Sequence, residues 1–268
     1  MSRHTFAFAT AALLAGLATA PAGAAITLSV ASPVYSQNFD SLAASGANNT
    51  WTNDATLPGW SLLKADGSAV ATYAAGNGSS NAGAFYSFGT DADRALGGVG
   101  SGGAYFGSPL SGTVAGYVAA SFVNATGAKL GGFDIGFSGE QWRNGGNTSA
   151  QAMVFSYGFG TSFADVSWTT PGAGFDFASP VFGATAVAVN GNAAGHVAGL
   201  GGNVTAPWDA GQTLWVRWTE RNDVGNDHGL AIDDLTLSVS VTPVPEPETY
   251  ALMLAGLLLV ATVTRRSR

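Results

Sequence analysis

Leu230-Ala231-Ile232-Asp233-Asp234-Leu235-Thr236-Leu237-Ser238-Val239-Ser240-Val241 is the stretch that decides the fold class. Successive side chains of an extended chain point to opposite faces. Leu230, Ile232 and Asp234 therefore share one side, and Leu235, Leu237, Val239 and Val241 continue the apolar row one residue out of phase. Such alternation marks a half-buried strand, and the phase change at Asp233-Asp234 predicts a bulge or a strand end. Working outward, comparable runs occupy 34–39, 70–73, 84–88, 113–123, 130–137, 151–159, 185–189 and 214–219, with glycine and asparagine clusters between them. No amphipathic helical run of ordinary length intervenes. An all-β, antiparallel β-sandwich follows, with the jelly roll as its expected arrangement, in a single domain over residues 25–243.

Composition narrows the function classes. Cysteine is absent, so thiolate metal sites and a cysteine nucleophile are excluded, and the core must hold the domain without disulfides. Two of the 17 acidic residues lie beyond residue 243, and four of the 10 Lys and Arg lie in the two ends. Fifteen acidic against six basic residues leave the central region at about −9, which argues against binding nucleic acid through its phosphates. Charged residues make up 10% of the chain and glycines number 38, so polarity comes mainly from amides and hydroxyls. The glycine run Gly97-Gly98-Val99-Gly100-Ser101-Gly102-Gly103 precedes a strand and lacks the Lys-Ser/Thr of a phosphate loop. It reads as turn and edge chemistry.

Both ends read as addresses. Arg3 and His4, the apolar run Thr5 to Leu17 and the small residues Ala22-Gly23-Ala24 form a signal peptide over 1–24. Signal peptidase and the Sec export machinery are its partners, and Ala25 is the expected first mature residue. At the other end Val244-Pro245-Glu246-Pro247 is a stiff acidic segment. Tyr250, an apolar run from Ala251 to Val263 and Arg265-Arg266-Ser267-Arg268 follow it. About 15 helical residues over 250–264 span roughly 22 Å, short of a hydrocarbon core of about 30 Å. The arginines predict a cytoplasmic C-terminus. This tripartite tail, 244–268, resembles the PEP-CTERM sorting signal of exported Gram-negative proteins made by exopolysaccharide producers. The resemblance implies an exosortase, a membrane cysteine transpeptidase, cutting near Pro245-Glu246-Pro247. It also implies transient residence in the inner membrane before delivery to the cell surface or extracellular matrix.

The unusual polar chemistry lies in Ser138-Gly139-Glu140-Gln141-Trp142-Arg143-Asn144 and in the segment from Trp215 to Asp234. Together they hold three of the six central basic residues and three of the seven tryptophans. Glu140, Arg143, His228 and Asp234 are expected to form a buried polar network. Asp223, Asp227 and Asp233 offer the hard oxygens calcium prefers, although the spacing is not that of an EF-hand. Glu140 with Asp234 could serve as a glycosidase pair, but Arg143 is an equally good partner for either. Asp227-His228 lacks the setting of a serine-hydrolase triad, and no Gly-x-Ser-x-Gly elbow occurs. Trp142 and Trp208, in loop-like settings, are the surface candidates for stacking on sugar rings. Of Trp215 and Trp218, which lie in opposite phase to each other, at least one belongs to the core.

Asn38-Phe39-Asp40-Ser41-Leu42, Leu57-Pro58-Gly59-Trp60, Asp93-Arg94-Ala95-Leu96-Gly97, Gly139 to Arg143 and Asp227 to Asp234 resemble the landmarks of a β-sandwich module of secreted bacterial proteins. That resemblance, over about 34–241, implies the fold and carries no activity of its own. The reading is a non-enzymatic exported surface or matrix protein that binds exopolysaccharide. A secreted carbohydrate-active hydrolase and a calcium-dependent adhesin are the alternatives.

Overall fold

A computed structural model describes residues 25–241. The signal-peptide segment, the sorting motif Val244–Pro247 and the expected helix 250–264 lie outside the described residues. Fifteen strands run through the described chain. In order they are β1 (Ile26–Leu28), β2 (Val34–Gln37), β3 (Asn49–Thr50), β4 (Trp60–Lys64), β5 (Thr72–Gly76), β6 (Ala84–Phe88) and β7 (Ala95–Val99). There follow β8 (Thr113–Asn124), β9 (Leu130–Asn144), β10 (Ala152–Phe159), β11 (Phe177–Ala178), β12 (Val187–Ala188), β13 (His196–Trp208), β14 (Thr213–Asn222) and β15 (Gly229–Ser238). Among the described residues the only helices are three 3₁₀ turns of three residues each.

The strands form two sheets. The first has the order β1-β8-β14-β10-β11, with β4 also on β8; the second runs β12-β9-β15-β7-β6-β5-β3, with β13 on β9 and β2 on β15. From β7 onward the chain passes between them, with β8, β10, β11 and β14 in the first sheet and β7, β9, β12, β13 and β15 in the second. Pairing is antiparallel except for β1 with β8 and β5 with β6, which run parallel. The expectation of a wholly antiparallel structure is corrected there.

One core fills the space between the sheets. Leu214, Val216 and Trp218 of β14 point inward at alternate positions, as do Leu230 and Ile232 and, past the phase change, Leu235 and Leu237 of β15. Trp218 lies at the centre, stacked on Trp60 at 6.1 Å and edge-on to Phe137 at 5.2 Å between ring centroids. Its neighbour in sequence, Trp215, faces outward and is half-buried. The phase change itself is a β-bulge: Asp233 pairs with Ser138 and Thr236 with Gly136, leaving two residues of β15 opposite Phe137 alone. Asp234 adopts φ 50°, and its N–H donates to Asp233 Oδ1 at 2.7 Å.

The second sheet is covered on its outer face too. Trp142, Tyr86, Phe88, Val99 and Ala231 make a smaller cluster there. The backbone around Gly191 closes over Trp142 so tightly that a Cβ on that glycine would meet the indole at 2.3 Å. Such close approach requires glycine.

Candidate functional site

A cleft of about 370 Å³ opens where the ends of β7, β9 and β14 meet the β14–β15 loop. Asn81, Ser101, Arg143, Asn222, Asn226 and Asp227 line it, with Gly100, Gly102, Gly145 and Gly225 between them. The glycines let the walls close up. A Cβ on Gly100 would lie 1.6 Å from the Arg221 carbonyl, and one on Gly145 would lie 2.1 Å from that of Asp227.

The loop is held from behind. Asn147 Nδ2 donates to the carbonyls of Val224 and Asn226 at 2.9 and 3.0 Å, and Gln151 Nε2 donates to the Asn226 carbonyl at 2.7 Å. The Asn226 backbone is thus fixed while its exposed side chain projects from a prepared position. Arg143 steadies the opposite wall by donating through Nη1 to the carbonyls of Gly78 and Ser79 at 3.1 and 3.2 Å; its Nε is buried without a partner.

Charge in the cleft is muted. Asp227 Oδ1 accepts the N–H of Asp223 at 2.6 Å, yet burial, with Asp223 beside it, pushes Asp227 up to about 7. Beneath the floor Glu220 is buried. Its Oε1 accepts the Gly100 N–H at 2.9 Å, its Oε2 has no partner, and burial raises it well above the usual carboxylate range. Near neutral pH the cleft therefore offers amides, hydroxyl and guanidinium, with at most one ionised carboxylate, an arrangement suited to a ligand rich in hydroxyls.

A second polar group lies on the outer face of the second sheet. One carboxylate oxygen each from Asp93, Glu140 and Asp233 lie within 4.8 Å of one another. Glu140 and Asp233 are buried; Glu140 Oε2 accepts the Trp142 indole N–H at 2.8 Å. Burial first, with neighbouring carboxylates adding to it, pushes Glu140 up to about 7 and Asp233 to about 8. Such a triad can hold protons or a hard divalent cation.

Several sequence expectations are corrected by this geometry. Glu140, Arg143, His228 and Asp234 do not form one network: Glu140 joins Trp142, Arg143 the 78–79 carbonyls, and His228 Nδ1 accepts the Gly145 N–H at 2.9 Å. Asp234 is exposed on the bulge. Among the described residues the one ion pair within these segments is Arg221 with Asp223, at 3.9 Å. The calcium set divides, because Asp227 lines the cleft with Asp223 bonded behind it, while Asp233 joins Glu140 and Asp93. Trp142 and Trp208 are both 0% exposed, so neither indole can meet a sugar. Trp208 ends β13 and packs on Phe133 and Phe159, with Nε1 donating to the Gln212 carbonyl at 2.8 Å. Asp93 was missed as a member of the triad, and its only sequence signal was its place in the Asp93-Arg94-Ala95-Leu96-Gly97 landmark.

Residues 243–268 match the PEP-CTERM protein-sorting motif. The chain carries that motif and is an exported protein sorted by exosortase. No curated protein matches the chain. Among solved structures, an arabinose-bound α-L-arabinofuranosidase aligns over 81% of this chain and 29% of its own, at 12% identity and a TM-score of 0.34. The chain thus spans under a third of that enzyme's length.

Proposed function

We propose that this exported, exosortase-sorted chain is a non-enzymatic jelly-roll module of the cell surface or extracellular matrix that holds exopolysaccharide in the cleft between β7, β9 and the β14–β15 loop. The jelly roll is supported by the strand orders β8-β14-β10-β11 and β9-β15-β7 in two sheets that share one apolar core. The observation that carries the binding reading is the prepared polar cleft, in particular Asn226, an exposed lining residue whose backbone carbonyl is pinned by Asn147 and Gln151. Its size falls in the lower part of the range of small-molecule sites, about 300–1,000 Å³, which suits one or two sugar rings. Among the described residues Asp227 is the one carboxylate that lines it, whereas hydrolysis of a glycosidic bond ordinarily takes a pair.

The protein exported by its producing cells is expected to co-sediment with their exopolysaccharide. Asn226→Ala combined with Asn81→Ala should weaken that retention by at least about tenfold, as loss of two hydrogen bonds of about 1 kcal/mol each implies, with melting unchanged. Retention unaffected by the double substitution would remove the cleft from the reading. Release of new reducing ends from the polymer would favour the hydrolase instead. The Asp93–Glu140–Asp233 triad favours the calcium-dependent adhesin as a second reading. It would be supported if chelation abolished retention.

A further inference from the structure

The outer face of the first sheet carries a guanidinium in an unusual setting. Arg217 of β14 stands directly opposite Ser156 of β10 and donates from Nε to its hydroxyl at 3.1 Å. The guanidinium carbon lies over the ring of Trp168 at 3.9 Å and over that of Tyr117 at 4.4 Å from the centroids, a double cation–π contact. Phe163 closes a third side at 5.8 Å. Among the described residues no carboxylate lies within ion-pair distance of Arg217. The acid on the same loop, Asp165, is engaged instead by the hydroxyls of Thr161 and Ser162 at 2.9 and 2.7 Å.

A half-buried cation without a counter-charge is costly, and the ring faces recover only part of its lost hydration. The ring contacts and the Ser156 bond hold the group in place, and a guanidinium so held offers a planar fork of N–H donors that matches a carboxylate. We propose that the Arg217–Trp168–Tyr117 face binds the carboxylates of an acidic, uronate-bearing polysaccharide. This inference rests on the polysaccharide-binding reading but on a site separate from the cleft, and it names the class of polymer. A domain carrying about −9 repels a polyanion at long range, so the contact must be short-ranged. Added salt, which screens over about 8 Å at physiological strength, should therefore weaken binding little, unlike adhesion to a basic surface.

The test uses the exported protein with polygalacturonate and with the same polymer after reduction of its carboxyl groups. The unaltered protein should retain polygalacturonate at least tenfold more tightly than the reduced polymer. Arg217→Gln should abolish the difference while leaving retention of the reduced polymer as it was. Arg217→Lys, which keeps the charge and loses the planar fork, should recover only a minor part. Should these variants fail to fold, competition on the unaltered protein decides: free galacturonate, and not galactose, should displace the polymer and change tryptophan emission. Equal retention of both polymers, or a folded Arg217→Gln protein that still prefers the acidic one, would overturn the inference and leave the cleft reading standing. Retention of neither polymer would overturn this inference, whereas failure to co-sediment with the producing cells' own exopolysaccharide would overturn the cleft reading.

Discussion

Glu140 and Asp233 are buried together beside Asp93, with no basic side chain in ion-pair distance among the described residues. Burial pushes them up to about 7 and about 8, whereas carboxyls of an unfolded chain titrate near 4. Raised folded values mean that the unfolded state sheds its protons first. Their contribution to stability is complete below about pH 4 and is lost as pH rises to about 8. Asp227, at about 7, and Glu220 act in the same sense. The melting temperature is therefore expected to fall from pH 5 to pH 8, and Asp233→Asn should flatten part of that slope. A melting temperature that climbs over the interval would contradict the burial of these groups. Calcium that raises it at pH 8, but not in Asp233→Asn, would mark the triad as a cation site. At this scale the sequence was only partly legible. The importance of Glu140 and Asp233 could be read from scarce charges beside aromatics, but their partner Asp93 could not, because β7 and β9 meet only through β15.

Among elements, β15 was the most legible because its two faces see different surroundings. The inward row is apolar, and the bulge that re-phases it leaves a visible slip. Asp234 sits at φ 50° in that bulge, a left-handed conformation that costs an ordinary L-residue about 1–2 kcal/mol and glycine little. Asp234→Val should thus lose about 1–2 kcal/mol in urea unfolding, while Asp234→Gly should match or exceed the parent. A neutral Asp234→Val would mean that the bulge relaxes freely. The alternation along β9 ends at Phe137, yet the strand continues to Asn144. Its second half buries both faces, with Trp142 and Glu140 under the outer cover, so the polar-apolar alternation disappears. Strand β13 escaped notice for the opposite reason. It is largely exposed, rich in glycine and interrupted in register between Val197 and Leu200.

For the whole molecule, the sorting motif predicts a shortened product. An apolar run too short for comfortable permanent anchoring, joined to the full PEP-CTERM pattern, implies that protein recovered from the envelope or medium lacks residues after about Thr249. Intact-mass measurement checks this, and chains still ending at Arg268 in cells with a working exosortase would leave a plain anchor. The C-terminal sorting motif and the strand class were available from the amino-acid order alone, because each depends on neighbours: a stiff acidic segment beside an apolar run and arginines, or an alternation along a few residues. Tertiary structure alone decided which tryptophans are buried, where the cleft opens, and that Asp93, Glu140 and Asp233 converge. Those outcomes depend on which strands pair and which loop closes over which face. Trp142 looked like a surface residue in a polar segment until Gly191 brought a loop down on it, and Arg217 gained its aromatic contacts only when the Phe163–Trp168 segment folded back over β14.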